Sequence, residues 1–290
     1  MKNKFNNSKD TTYPWVESPF FDLILRSKKN STVYKKLAKK FNKDGYIIID
    51  LKLKNSFINK KTKDINENLK QGDVKKNPKI YHYNESPRIV EAWKFSKNVA
   101  KLALNNKILK ILKFLFEKEP LAFSTLNFLK GTEQPLHSDY MHFSSTPERF
   151  LAGVWVALED TNKYNGPLAV VPGSHKFPIV DFNVLNCKKP DSIQSLEKCY
   201  RVYEEYVRKI VKVSNSKVKS IYVKKGQAII WAANLLHGGT KHLKKNKTRK
   251  SQVIHYHFKG CSKYYNPGFS VPSEGDYAIR ELDLVKIKNK

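Results

Sequence analysis

The chain has 290 residues, 40% of them hydrophobic, which is enough for a sizeable core in one large domain or two ordinary ones. No stretch is apolar for long enough to span a membrane, and the polar segment Met1 to Asp10 leads into no apolar signal region, so a cytoplasmic protein is expected. The net charge of +29 comes almost wholly from lysines scattered among asparagines, with only seven arginines, so no specific nucleic-acid partner is expected.

Residues 1–30 read as irregular, punctuated by Tyr13-Pro14-Trp15 and Ser18-Pro19-Phe20. Ser31 is placed to cap a helix through Tyr34, Leu37 and Phe41, which Gly45 ends. Tyr46 to Asp50 reads as a buried strand, 55–71 as a polar helix, and 88–117 as two helical patterns with an apolar stripe at Ile108, Leu109, Ile111, Leu112, Leu115 and Phe116. From Leu121 onwards strands dominate: Ala122–Leu129, Leu151–Leu158, Leu168–Val171, Ser220–Val223, Gln227–Ala232 and Ser251–Phe258. A helical insert, about Ser192 to Val211, interrupts them. Short strands after a helical start predict a mainly β barrel or sandwich with N-terminal and inserted flanking helices. With no repeat and no linker, a single domain over 1–290 is expected. Cys187, Cys199 and Cys261 form no close pair, which points to reduced structural thiols.

The residues that carry chemistry are few. His137 and Asp139 are two apart, so an extended segment points both the same way. His237 follows a distant strand, and two imidazoles with one carboxylate suit Fe(II) with positions left open. A His-x-Asp pair alone arises easily in a surface turn. Arg249 adds to it, because a guanidinium fork at the head of an apolar strand holds a carboxylate in bidentate fashion, as the far end of 2-oxoglutarate requires. Ser251 shares its parity and offers a hydroxyl. Tyr140, His142, Phe143 and Trp231 either shape a pocket or pack the core, the latter favoured for Phe143 and Trp231. His255 and His257 read as barrel histidines, and His175 as a turn residue rather than a ligand.

The chain resembles the phytanoyl-CoA dioxygenase family of Fe(II)/2-oxoglutarate oxygenases. The matching blocks are Gln134-Pro135-Leu136-His137-Ser138-Asp139, Gly153 to Asp160, Asn165 to Lys176, Lys225-Gly226-Gln227, Leu235-Leu236-His237-Gly238 and Arg249-Lys250. Their order and spacing cover roughly Ala122 to Phe258. The resemblance implies a double-stranded β-helix, or jelly roll, with its core at about 121–262. It implies His137, Asp139 and His237 as iron ligands and catalytic centre, and Arg249 as the 2-oxoglutarate anchor. Trp155 matches a tryptophan of the cosubstrate pocket, a role weighed evenly against core packing, and Leu126 is a further candidate there. The implied reaction uses Fe(II), 2-oxoglutarate and O₂, hydroxylates an unactivated C–H of a small molecule, and releases succinate and CO₂. A carboxylate at Asp139 points to hydroxylation, since family halogenases carry a small residue there. The basic turn Lys241 to Lys247 makes the gap from His237 to Arg249 one residue longer than the family pattern. Nothing marks a CoA site, and the ending Lys286 to Lys290 is no peroxisomal address, so phytanoyl-CoA itself is not the expected substrate. The alternatives are a jelly-roll metalloprotein with non-oxygenase chemistry and a non-catalytic binding protein with a vestigial site. Substrate and oligomeric state stay open.

Overall fold

The computed structural model describes residues 13–71, 80–83 and 86–287; the segment Met1 to Asp10 lies outside them. The first half is helical: α1 (Phe21–Ser27), α2 (Thr32–Asp44), β1 (Tyr46–Asp50), α3 (Asn55–Gln71), β2 (Ile80–Tyr83), β3 (Ser86–Val90), α4 (Lys97–Ala103) and α5 (Asn106–Phe116). The second half holds β4 (Pro120–Phe128), β5 (Ser144–Thr146), β6 (Leu151–Ala157), β7 (Leu168–Val170), α6 (Ile193–Val213), β8 (Lys219–Ile221), β9 (Gln227–Ala232), β10 (His237–Gly239), β11 (Ser251–Phe258) and β12 (Lys263–Tyr265).

Seven antiparallel strands form one sheet in the order β1-β9-β6-β11-β4-β3-β2, and β10-β7-β8 form a second. Alternation decides which side chain meets which layer. On β6, Val154 and Val156 face the helices α2, α4 and α5, in one core with Phe41, Leu112 and Phe116. Trp155 and Ala157 face the other way, joining Leu168, Val170 and Ile221 of the second sheet. This two-sheet closure is the jelly roll that the sequence implied, although helices hold more of the described residues than strands do.

Local chemistry sets the helix ends. Asn105 caps α5, its Oδ1 accepting from the amides of Lys107 and Ile108 at 3.0 and 3.3 Å. Gly45 ends α2 at φ +77°, where a Cβ would lie 2.5 Å from the His175 ring. Two expectations need correction. The N-terminal region is not wholly irregular, because Phe21 and Leu25 bury one face of α1 against the helical core. Ser86–Val90 is a strand, β3, pairing with β4; the two helices begin only at Lys97 and Asn106. Ser31 stands at the start of α2, but its side chain makes no capping bond.

Candidate active site

His137, Asp139 and His237 come together although the first and last are far apart in sequence. The reason is backbone pairing: the His137 amide donates to the His237 carbonyl and the His237 amide to the His137 carbonyl, each at 2.9 Å. The chain before Asp139 thereby extends the short sheet through β10. The imidazole centroids sit 4.5 Å apart, and one ligand atom from each of the three side chains lies within 4.8 Å of the others.

Each ring is fixed by its other nitrogen. His137 Nδ1–H donates to the Pro135 carbonyl at 2.8 Å, and His237 Nδ1–H to the Leu235 carbonyl at 3.0 Å. Both Nε2 atoms are left as lone-pair donors, the tautomer a metal requires. Burial, then the neighbouring His237, lowers the His137 pKa to about 3, so this ring is neutral at physiological pH. Burial by itself would raise the Asp139 carboxyl, but His237, His255 and His137 together hold it well below the usual carboxylate range. Asp139 therefore stays an anion.

The carboxylate is aimed from behind. Trp231 Nε1 donates to Asp139 Oδ2 at 2.7 Å, and His255 Nε2 stands 3.5 Å from the same oxygen. Oδ1 is the oxygen that turns to His237, 3.7 Å from its Nε2. Trp231 fits against β6 only because residue 153 is glycine: a Cβ there would fall 2.2 Å from the indole. Ser138, between His137 and Asp139, is braced by the inserted helix, since its amide donates to the Tyr203 hydroxyl at 2.9 Å.

The triad opens into a cavity of about 520 Å³. Arg249 lines it from the head of β11, fully buried; burial pulls its pKa to about 10, still cationic at neutral pH. The guanidinium lies over Trp155 and Phe128, with its Cζ 5.4 and 6.0 Å from the ring centroids. One amino group donates to the Gly166 carbonyl at 3.0 Å, while Nε has no protein partner. The basic turn at 241–247 thus does not carry Arg249 out of the site. Trp155 and Leu126 line the same cavity, and the Trp155 Nε1 also lacks a protein partner. Ser251 is buried with an unpartnered hydroxyl but is not among the residues lining the cavity. Buried donors without acceptors, next to two imidazoles and a carboxylate, fit an anionic cosubstrate beside a divalent metal.

Other expectations divide. His142, Phe143 and Trp231 line the cavity, whereas Tyr140 turns its hydroxyl away, towards Glu148 at 3.2 Å. His175 is buried against α2, 3.0 Å from the Asn42 carbonyl, and takes no part. His257 stacks on Phe123 at 4.5 Å outside the cavity. His255, read from sequence only as a barrel histidine, reaches the carboxylate; its parity with Val253 and Arg249 was the available signal. Sequence reasoning missed Tyr203, Arg88 and Arg280, and it quoted Gly153 in a motif block without the packing reason for it. Nothing local marks them, because each acts through a partner far along the chain.

Fold and triad together define a jelly-roll protein whose His137, Asp139 and His237 could hold one metal ion. The family described as phytanoyl-CoA dioxygenase (PhyH) matches residues 41–251, and the chain belongs to that family. The match reaches back into the end of α2. Peroxisomal phytanoyl-CoA dioxygenase of Rattus norvegicus is 24% identical over 65% of this chain and 49% of its own length. The human enzyme is 25% identical over 47% and 36% respectively. The chain thus spans about half, or less, of the length of these curated relatives. Among solved structures, EctD from S. alaskensis in its apoform is 21% identical with a TM-score of 0.63, covering 90% of this chain and 88% of that one. The epimerase SnoN from nogalamycin biosynthesis is 17% identical with a TM-score of 0.61, covering 89% and 97%. At this identity both show the shared fold.

Proposed function

We propose that the protein is an Fe(II)- and 2-oxoglutarate-dependent dioxygenase that hydroxylates an unactivated C–H bond of a small-molecule metabolite, with release of succinate and CO₂. The observation that carries the reading is a buried, cationic Arg249 with an unpartnered Nε in the same cavity as a triad of two imidazoles and one carboxylate. EctD has been solved with 2-oxoglutarate and 5-hydroxyectoine, which supports the same cosubstrate here.

His137, Asp139 and His237 would hold the iron, which when bound supplies O₂ activation coupled to decarboxylation of the keto acid. Arg249 pairs with the distal carboxylate and Trp155 flanks it, so the keto acid enters in one orientation. The aromatic wall of Phe123, Phe143 and Trp231 keeps water from the reacting C–H. Ser251, the first residue of β11, is assigned a supporting role beside Arg249 rather than direct contact with the keto acid. The reading includes one domain over 1–290 and a cytoplasmic location, supported by three free cysteines; the peroxisomal relatives make cell fractionation the check on location. Among the described residues no helix is long and apolar enough to cross a membrane.

Anaerobic visible absorption tests the proposal. Fe(II) followed by 2-oxoglutarate should produce a metal-to-ligand charge-transfer band that Asp139→Ala abolishes. Arg249→Gln should raise the 2-oxoglutarate concentration needed for the band by roughly ten- to hundredfold, the range for losing a hydrogen bond to a charged group. Iron bound without a band would favour non-oxygenase metal chemistry. No iron bound would favour a vestigial binding protein.

A further inference from the structure

Arginine is scarce in this chain, with seven among the 55 Lys and Arg. Yet three of the seven, Arg88, Arg249 and Arg280, line the one cavity that holds the triad, alongside a single lysine, Lys94. The lysine-rich surface does not explain this choice. A planar fork matches a carboxylate or phosphate in a way that an ammonium does not. Arg249 is accounted for by the keto acid, and Arg88 donates to Gln134 Oε1 at 3.4 Å with its guanidinium over Phe128. Arg280 is left over.

Arg280 is held in place by its backbone. Its amide donates to the Tyr264 carbonyl at 2.8 Å, and five residues on, the Val285 amide donates to the Ala122 carbonyl of β4 at 2.8 Å. The guanidinium Cζ stands 4.8 Å from the Phe143 ring centroid, and Nε is buried without a partner. Phe143 in turn packs on His255 at 4.9 Å, and His255 on the Asp139 carboxylate. Arg280 therefore faces the triad across an aromatic shelf made by Phe123 and Phe143, whose centroids are 5.2 Å apart. The nearby acids are otherwise engaged: Asp283 pairs with Lys94 at 2.6 Å, and Glu91 accepts from Trp93 Nε1 at 2.5 Å. Glu281, the remaining acid of the wall, is exposed. No ion pair to Arg280 occurs among the described residues.

The geometry points to an oxyanion-bearing substrate: a carboxylate or phosphate gripped by Arg280, with an apolar stem lying over Phe143 and Phe123 so that a C–H reaches the triad. This rests on the oxygenase reading for its chemistry, but the binding can be measured without iron. The metal-free 290-residue protein is titrated calorimetrically with octanoate, octyl phosphate and octanamide. At least one oxyanion probe should bind about tenfold or more tighter than the amide, as a charge-assisted fork requires. Whichever anion is preferred distinguishes carboxylate from phosphate. Arg280→Gln should erase the preference, Arg280→Lys should retain part of it and report that the segment still folds, and Arg249→Gln should leave it in place. Loss of the preference in Arg249→Gln alone would place the anion in the keto-acid pocket and overturn the assignment. So would an unchanged preference in Arg280→Gln, or the absence of any preference in the unaltered protein. A missing charge-transfer band with an intact oxyanion preference would instead fault the oxygenase reading and leave the Arg280 site standing.

Discussion

Asp139 carries two loads on one carboxylate: Oδ1 turns to His237 while Oδ2 accepts from the Trp231 indole at 2.7 Å. Holding one oxygen leaves the other free to bind a metal through a single atom, which preserves open positions for cosubstrates. Trp231→Phe keeps an aromatic ring and removes the donor. Iron affinity should fall about ten- to hundredfold, the usual cost of losing such an outer partner, and the melting temperature should fall as well because the smaller ring leaves part of a buried site unfilled. Competitive titration against a chelator measures it, and unchanged affinity would show that the indole only packs. The three residues were legible as candidates not from His-x-Asp alone, which is common in turns, but from its combination with His237, Arg249 and the motif blocks around them. The Trp231 role was not, since an indole in an apolar strand looks the same whether or not its N–H meets a carboxylate 92 residues away.

At the scale of elements, α6 is more than an insertion. Ser192 and Ser195 form a reciprocal capping box at its start, and Cys199, Tyr203 and Val207 bury one face. Tyr203 accepts from the Ser138 amide between two ligands, and Tyr200 bonds His142 Nδ1 at 2.7 Å. Tyr203→Phe would leave the Ser138 amide buried without an acceptor, at a cost of about 1–3 kcal/mol. The expected result is a lower melting temperature together with weaker iron binding, since the ligand loop loses its brace. A drop in melting temperature with iron binding intact would reduce α6 to a stabilising cover. The helix itself was predicted within two residues at its C-terminal end, because a capped amphipathic run is a local signal. Its contact with the metal loop was not, because the contact joins residues 65 apart. β3 was missed for a related reason: a short strand bordering helical patterns is recognisable only once β4 is there to pair with it.

Across the whole molecule, buried neutral histidines tie stability to pH. Burial lowers the His257 pKa to about 3 and the His175 pKa to about 4, from an ordinary 6.5. The unfolded chain takes up protons near 6.5 while the folded chain does not, so this stability is present above 6.5 and is lost as pH falls towards 4 and then 3. Metal-free protein should therefore melt at progressively lower temperature below about pH 6.5, and His257→Phe should flatten that slope by up to one proton. An identical slope in the variant would remove His257 from the account.

The sequence by itself determined the class of fold and singled out His137, Asp139, His237 and Arg249 as candidates, because strand periodicity is a local signal and the motif blocks recur in a fixed order. Tertiary structure alone decided which nitrogen and oxygen atoms of the triad turn towards one another, that Ser251 is not among the residues lining the cavity, and that Arg280 lines the cavity that holds the triad. Those outcomes depend on backbone pairing and parity between segments distant in the chain, and no single segment encodes them.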